Sequence, residues 1–82
     1  MFSIMTNLEK YTNTFAEALG ISVEETKKLE YQAVEAWDSV GHMGLVAALE
    51  DAFGIMFDAD DIIDLSSFEK GMEILKKYNV EF

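Results

Sequence analysis

Leu8, Tyr11, Phe15 and Leu19 recur at intervals of three and four residues, and Ile4 extends the series backward. That spacing places them on one face of a helix. Leu45, Val46, Leu49, Ala52 and Phe53 repeat the pattern, and so do Phe68, Met72, Leu75 and Tyr78. The boundaries of these stripes carry helix signals. Thr6-x-x-Glu9 reads as a capping box and Gly20 as a left-handed stop, which predicts a first helix over about residues 5–19. Asp38 and Ser39 are both N-cap types ahead of the second stripe, and Gly54 follows it. Ser66-x-x-Glu69 opens the last stripe, with Lys76 and Lys77 near the end where positive charge is favoured.

The remainder is less regular. Ser22-x-x-Glu25 is a further capping box, able to start one turn through Lys28. Leu29, Tyr31, Val34 and Trp37 then give apolar anchors without a clean period, so residues 20–37 read as a long, partly packed loop. Such loops are uncommon in compact domains and are often functional. Ile55, Met56 and Phe57 form an apolar connection, and Asp58 can cap a short turn over residues 59–63. The expected fold is all-α: a small four-helix bundle of three longer helices and one short one, with a long first loop. It forms a single domain over residues 1–82.

Composition narrows the function. An 82-residue domain buries only roughly 60 per cent of its unfolded surface. The chain has no Cys, so helix packing must hold it together without disulfides. Half the residues are hydrophobic, which is too rich for disorder. No apolar run approaches the roughly 20 residues of a membrane span. The start, Met1 to Thr6, lacks a basic region and a long apolar core, so no signal peptide is expected and the cytoplasm is the default location. Sixteen acids against six bases give a net charge of −10, and every base is Lys. Such a surface repels nucleic acid and anionic membrane. Without Arg it has no bidentate fork for phosphate. Basic protein surfaces or cations are the partners it suits.

The segment Trp37-Asp38-Ser39-Val40-Gly41-His42-Met43 carries the most chemistry. The simplest role of Ser39 is an N-cap. The sharper one is a hydroxyl presented for modification at a helix N-terminus, whose free N–H groups and dipole favour a phosphate. Both hold if Asp38 is the cap. A serine hydrolase would need a base and an oxyanion hole. His42 lies three residues on, able to share a face with Ser39, but no third orienting group is evident. The pattern G-x-S-x-G is absent, since Trp37 stands at its first glycine. Packing or surface is the ordinary role of such a histidine. Asp58, Asp60, Asp61 and Asp64 do not match the calcium-loop template, and a solvated face is the expected reading, so no metal site is assigned. Off the core stripe of the second helix, Val40, Gly44, Ala47 and Asp51 form another face. Met43 lies beside it and Glu50 at its border. That face either packs on the loop or a helix, or docks partner proteins.

Asp38-Ser39-Val40, the following Leu45-Val46-x-x-Leu49-Glu50-x-x-Phe53, then Ile62, Leu65 and the closing amphipathic helix resemble the acyl carrier proteins, the phosphopantetheine-dependent carriers. Leu19-Gly20-Ile21 fits as well. The similarity covers nearly the whole chain. The three-residue motif alone is a weak signal; its coupling to this helix order, length and charge is far more specific. The resemblance implies that Ser39 is esterified with 4′-phosphopantetheine, taken from coenzyme A by a phosphopantetheinyl transferase, with Asp38 as part of the motif. It implies a non-catalytic, monomeric carrier, not an enzyme, whose thioester-bound acyl group is handed between partner enzymes. Those partners would be an acyl-loading ligase or synthase and an acyltransferase, with basic surfaces meeting Val40, Met43, Ala47, Glu50 and Asp51. The core would offer the acyl chain a cavity or groove.

The chain departs from the carriers of fatty acid synthesis where those place acids early in the second helix. Here Gly41 and Gly44 stand at those positions, each costing a helix roughly 1 kcal/mol against Ala, so a less rigid start is expected. Trp37, His42 and Met43 resemble a stand-alone subgroup serving dedicated pathways. The Leu-Gly-Gly-x-Ser pattern of peptidyl carriers is absent. An aminoacyl or D-alanyl carrier uses the same chemistry and stays open, as does an unmodified acidic adaptor.

Overall fold

The computed structural model describes residues 6–82. The proposed backward extension through Ile4 and residue 5 of the predicted helix lie outside them, and Thr6 caps the first helix rather than belonging to it. Five helices follow in order: α1 Asn7–Leu19, α2 Val23–Thr26, α3 Ser39–Phe53, α4 Ala59–Asp64 and α5 Phe68–Lys76. Among the described residues there is no strand, and the fold is all-α. The short helices number two, because the turn after Ser22 closes as α2. Its hydroxyl accepts from the Glu25 N–H while the Glu25 carboxylate accepts from the Ser22 N–H, the reciprocal arrangement its spacing predicts. Thr6 and Glu9 do the same at α1. Gly20 and Gly54 end α1 and α3 with φ of 66° and 63°.

Two predicted boundaries shift. The cap of α5 is Ser67, not Ser66: its hydroxyl accepts from the Lys70 N–H at 2.9 Å. Ser66 is committed elsewhere, since its carbonyl accepts from the Tyr31 N–H at 2.8 Å. The Phe68 N–H donates to the Leu29 carbonyl at 2.9 Å, and Glu30 and Ser67 pair as an isolated bridge. The loop thus grips the start of α5 and delays it by one residue. At the other end α5 stops at Lys76, and Tyr78 lies in the turn beyond.

α1 packs against α3 and α2. Tyr11, Phe15, Leu19, Leu45, Val46, Leu49, Phe68, Ile74 and Leu75 form the centre of the core. Ala52 and Phe53 are half-buried at its margin, and Leu8 is exposed. The buried Tyr11 hydroxyl donates to the Phe68 carbonyl at 2.6 Å, which satisfies it without water. Burial pushes that phenol well above its ordinary range.

The long loop is more ordered than its aperiodic sequence suggests. Trp37 is fully buried and meets Phe15 edge-on, with centroids 5.1 Å apart. Gln32, in left-handed backbone, donates its N–H to the Trp37 carbonyl. The Trp37 N–H returns to Val34 and the Ala33 N–H to Glu30. Residues 30–37 therefore close on themselves and deliver the chain to α3 from a fixed anchor.

Candidate functional site

α3 begins immediately after Trp37. Asp38 is the N-cap: its carboxylate accepts from the Gly41 N–H at 2.8 Å, and its carbonyl accepts from the His42 N–H. Because Asp38 does the capping, the Ser39 hydroxyl is not used for it. Ser39 is the first residue of the helix and is exposed. The first-turn amides left by the cap are those of Ser39 and Val40, at the positive end of a helix of 15 residues.

Gly41 has a steric reason to be glycine. A Cβ there would fall 1.8 Å from the Ala36 carbonyl oxygen. The loop backbone thus lies directly on the first turn of α3, and the expectation of a loosened start gives way to a close approach. Gly44 has open space where its side chain would be.

His42 turns toward the loop and α4. The Trp37 indole Nε1–H donates to His42 Nδ1 at 2.9 Å, and His42 Nε2 lies 2.7 Å from the Ile62 carbonyl oxygen. Both ring nitrogens are thus occupied, and no Ser39–His42 pair forms among the described residues. Tyr31 stands edge-on to both rings, with centroids 5.9 Å from Trp37 and 5.4 Å from His42. Beside them an apolar groove of about 240 Å³ is lined by Tyr31, His42, Ile62, Ile63, Leu65 and Ser66.

The second face of α3 is open to solvent in large part. Val40 is 81 % exposed and Met43 53 %. Ala47 and Asp51 are exposed as well. Glu50 differs: it is half-buried, and its carboxylate accepts from the Phe57 N–H at 2.9 Å, tying the turn after α3 back to the helix.

The acidic stretch is not uniformly solvated. Asp58, Asp60 and Asp64 are exposed, but Asp61 is buried. One of its oxygens pairs with the Lys77 ammonium, and the other accepts from the Tyr78 hydroxyl at 2.6 Å. Tyr78 in turn accepts from the Asp58 N–H. The Lys77 hydrogen bond, then the Tyr78 one, holds the Asp61 carboxyl below its ordinary range. The same contact raises Lys77. This cluster fastens α4 to the end of α5, and sequence spacing could not reveal it because its members lie 16 and 17 residues apart. Among the described residues no three His, Cys, Asp or Glu side chains converge as a metal site.

No family model matches this chain, and no curated protein or solved structure matches it. Among the described residues no helix is long and apolar enough to cross a membrane.

Proposed function

We propose that this chain is a carrier protein, holding acyl groups as thioesters on a 4′-phosphopantetheine arm attached to Ser39. The observation that carries this reading is the exposed Ser39 hydroxyl at the first position of α3, left unused by a cap that Asp38 supplies. The residues fit such a group. The Ser39 and Val40 amides and the helix dipole favour a phosphate there, and the His42 ring is engaged with Trp37 and Ile62 rather than with Ser39. In modification by a separate transferase, a phosphoester bond would form at Ser39 Oγ as the pyrophosphate bond of coenzyme A breaks, with the hydroxyl proton passing to the transferase or water and adenosine 3′,5′-bisphosphate leaving. The arm supplies the thiol that this cysteine-free chain lacks.

The chain's own residues present and orient. Asp38 and Gly41 fix the first turn, and the Trp37 anchor sets its approach. Val40, Met43, Ala47 and Asp51 form the face offered to the transferase, the acyl-loading ligase or synthase and the acyltransferase, with Glu50 at its structural border. The groove beside His42, one turn on from Ser39, is the place we assign to the cargo. In this reading α1, α3 and α5 are the long members of a four-helix bundle, α4 is the short one, and α2 is a turn within the first loop. The protein acts as a cytoplasmic monomer.

The test is direct. Apoprotein incubated with coenzyme A and a promiscuous phosphopantetheinyl transferase should gain one arm by intact mass, and Ser39→Ala should gain none. No gain, or a gain that survives the substitution, rejects the carrier reading. An unmodified adaptor would instead keep its cellular function with Ser39→Ala.

A further inference from the structure

We infer that His42 is a proton-sensitive latch on the segment that leads into Ser39. The partners of its ring define its state. An indole N–H can only donate, so Nδ1 must accept; a carbonyl oxygen can only accept, so Nε2 must carry the hydrogen. The two ring planes lie within 13° of each other with centroids 6.2 Å apart. That is too distant for face-to-face contact and suits the in-plane lone pair of Nδ1. These partners fit the imidazole as its Nε2–H tautomer.

Protonation puts a hydrogen on Nδ1. Two donors then face each other, and the buried Trp37 N–H loses its acceptor. The opposite contact survives, because a charged imidazolium donates to the Ile62 carbonyl at least as well. The two ends of the latch therefore respond differently: α4 stays tied, and the Trp37 indole loses its tie to α3. Trp37 matters because Ala36 lies against Gly41 and because Trp37 closes the loop through Gln32. Losing the tie to α3 loosens the residues that run directly into Asp38 and Ser39.

Among the described residues, the neighbouring acids are engaged elsewhere or exposed to solvent. From the loop, Tyr31 presents its ring to His42, while Glu30 and Glu35 are exposed. From α3, the Asp38 carboxylate is bonded to the Gly41 N–H. From α4, Asp61 is paired with Lys77 and Tyr78, and Asp64 is exposed. The latch is a property of the fold and stands whether or not Ser39 is modified.

His42 is the one histidine and Trp37 the one tryptophan, so each gives a single signal in the full chain. Nitrogen-15 NMR of the imidazole at about pH 8 should show the Nε2–H tautomer. Between about pH 8 and about pH 5, exchange of the Trp37 indole N–H, corrected for the intrinsic pH dependence, should accelerate at least about tenfold. An Nδ1–H tautomer at the higher pH, or a corrected exchange rate that stays within about twofold, overturns the proposal. His42→Gln cannot titrate, so a folded variant should lose the pH response; a response that persists in it also overturns the latch. The wild-type measurements decide the question even where that variant fails to fold.

Discussion

Gly41 and Gly44 sit three residues apart on α3, yet only one has a reason to lack a side chain. A Cβ at Gly41 would overlap the Ala36 carbonyl oxygen, whereas at Gly44 it would meet open space. Gly41→Ala must push the loop off the first turn, which should lower stability by roughly 1–3 kcal/mol. Gly44→Ala relieves the entropic penalty of an exposed helical glycine and should raise stability by about 1 kcal/mol, or roughly 4–8 °C in melting temperature. Thermal and denaturant unfolding of the two variants checks both signs. Similar effects from both would refute the close approach at Gly41. In the sequence the two glycines look alike, because what distinguishes them is a backbone oxygen five residues upstream. Ser39 and Asp38 were legible because a helix start is a local signal. The bond from Trp37 to His42 was not, because it depends on how an aperiodic loop turns.

At the scale of elements, the caps of α1, α2 and α3 and most of the core stripes of α1 and α3 could be read directly, since their partners lie within three or four residues, although Leu8 of the first stripe is exposed. The start of α5 shows where local reading stops. Ser66-x-x-Glu69 has the spacing of a capping box, but Ser66 is drawn into pairing with the loop, and Ser67 takes over. Ser67→Ala should therefore destabilise by about 1 kcal/mol, as loss of a serine cap does. Ser66→Ala removes only an exposed side chain whose backbone does the pairing, and should stay within about 0.5 kcal/mol of the parent. Denaturant midpoints of the two variants separate these positions; a larger loss at Ser66 would restore the cap to the residue that the motif indicates. The same loop contact explains why a segment without helical period is nonetheless fixed: its backbone groups are satisfied by α5 and by its own turns.

For the whole molecule, the net charge of −10 and the Asp61 cluster pull stability in different directions as pH changes. Mutual repulsion among sixteen acids weakens the compact state, so modest salt should raise the melting temperature near neutral pH by screening it. Acidification also reduces that repulsion, but it removes the Asp61 contact. The folded carboxyl is held below its unfolded value by Lys77 and then Tyr78. Its contribution is therefore complete above the ordinary carboxylate value and is lost as pH falls through the lowered folded value. Lys77, raised by the same pair, keeps its share until pH climbs through its own raised value. Asp61→Asn should accordingly be less stable than the parent at about pH 7, with the difference shrinking by about pH 3 and below. The salt response should persist in the variant, because it comes from the remaining acids rather than from one pair. Denaturant unfolding of both proteins across pH and salt makes the separation. A parent-to-variant gap that is constant with pH would remove Asp61 from the acid response, and a melting temperature flat across salt would remove the repulsion.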